Sequence, residues 1–154
     1  HSVREAEKRD LFYKAFKAKA MSDGKIKKKT GYLLQKAALS WLSLAVKSGS
    51  LVSGRAKVEK AILKGQLALL IEANNASDDG RKKLRSLKKA FEKETGERIE
   101  LVSSFTVEQL SLALGRENVV HAAITNKHMA IRFNEFASRL EAYQQNQDKP
   151  EEIK

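Results

Sequence analysis

The chain has no cysteine, a single proline and only three histidines in 154 residues. Without cysteine there is no disulfide framework, no thiol nucleophile and no cysteine-rich zinc site. The histidines are too scattered for metal chemistry. His1 stands beside Ser2 in what reads as the remnant of an expression tag, His121 falls inside an apolar run, and His128 opens a helical pattern. None has a carboxylate or a second histidine at ligand spacing. No apolar run approaches the roughly 20 residues needed to cross a bilayer, and no signal-peptide succession of charged, apolar and small residues occurs. Phosphate-loop and dinucleotide glycine patterns are missing too, since Gly49 and Gly54 lack the neighbours both require. These absences argue against an enzyme, a metal, a cofactor, a small-molecule substrate and a membrane partner. The expectation is a soluble cytoplasmic protein.

Positive charge is what the chain has in excess. Lys and Arg number 30 against 19 Asp and Glu, a formal net charge of +11. Residues 1–30 carry ten basic and four acidic side chains, residues 31–126 carry 15 and ten, and the remainder five and five. The excess is therefore concentrated in the first segment and the middle rather than spread as a solubilising coat, which implies a polyanionic partner.

Three segments follow from the pattern. Residues 1–29 read as a basic amphipathic helix over 3–20, with Leu11, Phe12, Ala15 and Phe16 among lysines, followed by a linker holding Lys25, Lys27, Lys28 and Lys29. With no initiator methionine, the chain is expected to begin inside a longer protein. Residues 30–144 form the globular domain, and 145–154 a polar, frayed tail.

Within the domain, Leu34, Ala37, Ala38, Trp41, Leu42 and Ala45 have the spacing of one buried helix face, ending at Gly49. Leu51-Val52 is a short strand, and Gly54–Lys64 a helix burying Val58, Ala61 and Ile62. Leu67–Ile71, Ile99–Ser103 and Val119–Ile124 read as further strands. Between them, Ser77-Asp78-Asp79 starts a helix carrying Leu84, Leu87 and Phe91, and Thr106 with Gln109 has the spacing of a capping box. A last helix over 126–144 presents Met129, Phe133, Phe136, Ala137 and Leu140 on one face. Strands alternating with helices predict an α/β fold with helices on both faces of the sheet.

The sharpest chemical signal is the strand-to-helix junction Ser53-Gly54-Arg55-Ala56-Lys57. A helix start offers unpaired backbone N–H groups and partial positive charge, and glycine lets a phosphodiester approach closely. Lys57, Lys60 and Lys64 lie within a stripe of about 60° beside the apolar face, given 100° per residue. A second loop, Gly115-Arg116-Glu117-Asn118-Val119, combines a guanidinium, an amide and aliphatic groups suited to phosphates and splayed bases. Along Arg81, Lys82, Lys83, Arg85, Lys88, Lys89 and Lys93, interrupted by Glu92 and Glu94, a solvated face is the expected reading.

The run Leu44–Gly54, then Val58–Ile62, Lys64-Gly65, Leu67–Ile71 and Leu112–Ile124, resembles the family of kink-turn-binding ribosomal proteins, most closely its bacterial YlxQ-type members, over about residues 30–136. The resemblance implies a three-layer α/β/α sandwich around a four-stranded mixed sheet. It also implies that Gly54, Lys60, Gly115 and the loop from Arg116 to Val119 grip the bent backbone of a structured RNA. Where the family has an asparagine-glutamate pair that reads sheared guanines, this chain has Ala56-Lys57, so the likeness does not extend to the standard readout. The segment Leu11–Lys17 is similar to the end of the YlxR-type nucleic-acid-binding domain.

Together these readings predict a non-enzymatic RNA-binding protein of translation or the ribosome. Its RNA site comprises Gly54, Arg55, Lys57, Lys60, Lys64, Gly115, Arg116, Glu117, Asn118 and Val119. The alternatives are a protein-interaction module of the same fold, or the accessory substrate-binding domain of an RNA-modifying enzyme.

Overall fold

The computed structural model describes Leu11, Lys14 and residues 29–148. The chain divides into two units, His1–Leu33 and Leu34–Lys154. In the first, Leu11 and Lys14 are helical; the rest of the expected basic helix, and the linker up to residue 28, lie outside the described residues. Lys29, expected in that linker, is helical instead.

A helix, α1, spans residues 29–47. After it come β1 (Leu51–Ser53), α2 (Arg55–Leu63), β2 (Leu69–Glu72), α3 (Asp78–Thr95), β3 (Glu100–Val102), α4 (Val107–Leu114), β4 (His121–Ile124) and α5 (Lys127–Asp148). The four strands form one mixed sheet in the order β1-β4-β2-β3. β4 is antiparallel to both β1 and β2, and β2 is parallel to β3.

Side chains alternate across each strand, so the sheet has two apolar faces, and each is covered. Leu69, Ile71, Ala122 and Ile124 meet Ala38 and Leu42 of α1, Leu110 and Leu114 of α4, and Phe133, Ala137 and Leu140 of α5. Leu70 and Ala123, one residue out of phase, meet Val58 and Ile62 of α2 and Leu84 of α3. The expected three-layer α/β/α sandwich is thus the observed one. Phe105 and Phe133, both fully buried, pack with ring centroids 6.1 Å apart.

Local chemistry sets the element ends. Thr106 Oγ1 accepts the Gln109 N–H and Gln109 Oε1 accepts the Thr106 N–H, closing the capping box that starts α4. Asn126 Oδ1 accepts the Met129 N–H at the start of α5. Ser77, the residue before α3, makes no side-chain cap bond; Asp78 and Asp79 in the first turn of α3 complement the helix dipole. Nearby, Asn75 receives the Val107 N–H at 2.8 Å and donates to Glu108 at 3.0 Å, so the loop after β2 is fastened to the start of α4.

Several boundaries differ from expectation. β2 starts two residues later than the apolar run and includes Glu72, whose carboxylate is fully buried. β3 is shorter at both ends, and β4 begins at His121, leaving Val119 and Val120 in the preceding loop. α5 continues through Asp148, so residues 145–148 are helical rather than frayed.

Glu72 and His121 are partners across the β2–β4 ladder. Buried at one end of the sheet, they form a polar exception in the layer between sheet and α2–α3. Glu72 receives Nε–H bonds from Arg81 and from Arg85, the latter at 3.1 Å. His121 is 3 % exposed, and its Nε2 has no hydrogen-bond partner among the described residues. Burial pushes this imidazole below the usual histidine range; Glu72 opposes the shift, and Arg55 and Arg81 reinforce it. The unfolded chain therefore takes up this proton first as acid is added, so stability is full above the ordinary value of 6.5 and declines as pH falls below it. The lowered carboxylates of Glu92 and Glu108 act only below their ordinary 4.5. Urea unfolding midpoints should accordingly fall between about pH 6.5 and 5, and His121→Leu should flatten that decline. An equal decline in the variant would show that His121 is not its source.

Candidate nucleic-acid interface

Strand direction gathers the loops. Because β4 opposes β1 and β2, and β3 follows β2, the carboxyl ends of β1, β2 and β3 and the amino end of β4 share one rim of the sheet. The Gly54 junction, the loop after β2, the loop before α4 and the Gly115 loop all leave from that rim.

At the junction, Gly54 adopts φ 91°, ψ 148°, a region that L side chains rarely enter. A Cβ there would meet nothing within 4 Å, so glycine is required by the backbone rather than by crowding. Its N–H donates to His121 O at 3.1 Å, fixing the chain to β4 as it turns into α2. Glycine also leaves the helix start open. No side chain caps α2 and no acidic residue stands in its first turn, so its partial positive charge faces solvent.

The second loop is held from three directions. Gly115 ends α4 in the left-handed conformation at φ 66°, and Asn118 adopts φ 52°. Ser111 Oγ accepts the Val119 N–H at 3.0 Å, and Val120 O accepts the Ala73 N–H at 2.8 Å. Arg116 then reaches out of the loop and donates from Nη1 to Ser53 Oγ at 2.6 Å. That bond joins two segments 63 residues apart and sets a guanidinium beside the open end of α2.

The expected site residues fall into two groups. Gly54, Arg55, Gly115, Arg116, Glu117 and Asn118 are exposed at this rim. Lys57, Lys60 and Lys64 are exposed along α2, with Lys60 and Lys64 roughly 8 and 14 Å beyond Arg55 at 1.5 Å per residue. Arg55 is partly neutralised by Glu59 at 3.1 Å. Five cations in these segments, Arg55, Lys57, Lys60, Lys64 and Arg116, thus face two carboxylates, Glu59 and Glu117.

Val119 is a correction. Expected to lay its side chain against a base, it is 5 % exposed and packs in the core, because its tethered N–H turns it inward. The apolar surface comes instead from Leu112, which is 86 % exposed. With Val107, Glu108, Ser111, Arg116, Glu117 and Asn118 it lines a shallow depression of about 630 Å³. Leu112 was concealed in the sequence because it sits among the helix's core leucines, and only the helix phase separates it from Leu110 and Leu114.

Among the described residues no group of His, Cys, Asp and Glu could hold a metal ion, and no helix is long and apolar enough to cross a membrane.

No family model matches the chain, and no curated protein does. Solved structures do. A protein of unknown function from Bacillus halodurans matches at 24% identity and TM-score 0.50, over 69% of this chain and 94% of that one. The Giardia lamblia 15.5kD RNA-binding protein matches at 18% identity and TM-score 0.51, over 71% and 89%. At these identities the likeness establishes the shared α/β fold.

Proposed function

We propose that this chain is a non-enzymatic domain that binds structured RNA, in translation or on the ribosome in the bacterial cytoplasm. The Arg116–Ser53 hydrogen bond carries the reading, because it makes one cationic surface of the uncapped α2 start and the Gly115 loop. A helix start presents N–H donors to phosphate, and the arginine beside it supplies further donors in a planar fork. The lysine stripe on α2 extends the surface along a backbone, and Leu112 offers an apolar seat for an unstacked base. That the Giardia neighbour is described as RNA-binding agrees with this reading. Ala56 and Lys57 replace the usual guanine-reading pair, so recognition rests on backbone shape and charge, with kink-turn-like RNA as one candidate ligand.

Exposed Leu112, together with Ala56-Lys57 in place of the guanine-reading pair, favours a second reading, a protein-docking module. Pull-down from nuclease-treated lysate separates the two, since only a protein partner survives nuclease.

If about five phosphates are engaged, log affinity for RNA should fall against log salt with a slope near −4. Affinity that ignores salt would sink the electrostatic mechanism. Lys60→Ala and Arg116→Ala should each weaken RNA binding roughly three- to tenfold, about 0.7–1.4 kcal/mol, with the circular dichroism spectrum retained. Unchanged affinity in the double variant would exclude this face.

A further inference from the structure

The buried cluster at the end of β2 has a chemistry that neutralisation alone does not explain. Glu72 is fully buried, and its two oxygens each accept one Nε–H, from Arg81 and from Arg85. A carboxylate removed from water is costly, and an apolar residue of similar size is often as stable or more so, so the trio is poorly accounted for as a stabilising device. What the carboxylate does is orient. A guanidinium has five N–H donors, and each Nε–H bond to Glu72 uses one of them. Neither guanidinium has another hydrogen-bond partner among the described residues, and the two side chains are 23 % and 44 % exposed. Two cations on one anion also leave the cluster with net positive charge.

The position of the pair matters as much as its charge. Arg81 and Arg85 stand one turn apart on α3, about 6 Å along its axis at 1.5 Å per residue, and their guanidinium groups converge on the one carboxylate. Glu72 is paired across the sheet with His121, whose carbonyl holds the Gly54 N–H. Gly80, in the first turn of α3, lies against the same imidazole. The arginines therefore sit at the rim that carries the α2 start, on the α2–α3 side of the sheet.

We propose that Arg81 and Arg85, oriented by Glu72, form a second phosphate-binding site that takes the backbone of an RNA strand where it continues past the Gly54 junction. The site rests on the RNA-binding reading above and extends it to a face that reading leaves unused. Arg81 and Arg85 are the ligand-contacting groups, and Glu72 is a positioning residue. Both arginines present Nη donors in a fork that fits non-bridging phosphate oxygens.

The test is fluorescence anisotropy with a fluorescein-labelled RNA stem carrying an internal bulge, across a salt series. Arg85→Gln should weaken binding about tenfold and reduce the salt slope by about one. Lys82→Gln, which removes the same charge from the neighbouring exposed position, should lose distinctly less. Glu72→Gln separates orientation from charge by sign: removing a negative charge tightens binding if charge alone acts, whereas loss of positioning weakens it. Weakening in both Arg85→Gln and Glu72→Gln supports the site. Tighter binding by Glu72→Gln, or equal losses in Arg85→Gln and Lys82→Gln, overturns it. Should Glu72→Gln fail to fold, the comparison of Arg85→Gln with Lys82→Gln decides alone. Arg116→Ala distinguishes the two layers of the argument. Loss there with none in Arg85→Gln rejects the arginine pair and keeps the junction, and the reverse result rejects the junction and keeps the pair.

Discussion

β4 lies between β1 and β2 and runs opposite to both, and the functional architecture depends on that arrangement. Its direction sends the chain out of three strand ends, and into a fourth, at a single rim. Its first residue carries two connections: the His121 carbonyl holds the Gly54 N–H, and the His121 side chain lies beside Glu72. Had β4 been parallel to its neighbours, the Gly115 loop would enter the sheet from the opposite rim and Arg116 could not reach Ser53.

Electrostatics divides the helix starts of this molecule. α3 opens on Asp78 and Asp79 and α4 on Glu108, so their dipoles are complemented within the chain. α2 has neither an acid in its first turn nor a side-chain cap, and the Arg116 guanidinium is hydrogen-bonded to Ser53 just before it. Positive potential is thereby conserved where the backbone is most accessible. The same surface includes apolar Leu112, so it combines charge with a patch on which a planar ring can rest.

The fold was legible in the sequence because burial is periodic. The phase of Leu34, Ala38, Leu42 and Ala45 survives in the structure, as does the Thr106–Gln109 box. The Gly54 junction and the Gly115 loop were legible too, since glycine and basic residues mark them locally. Their union was not, for the Arg116–Ser53 bond spans 63 residues and has no local signature. Glu72 lies just past the apolar run Leu67–Ile71, and nothing local marks it as part of the strand; its burial depends on arginines nine and 13 positions later, brought back by a helix packed on the sheet. Val119 misled in the opposite sense, its aliphatic character being spent on the core rather than offered to a ligand.

The two edge strands, β1 and β3, are only three residues long. A lone sheet margin is a template for another molecule's strand, and short margins offer too few free amides and carbonyls to hold one. Two copies of the chain would thus have little means of zipping their sheets together. Brevity at the margins is in this sense a safeguard against edge-to-edge pairing.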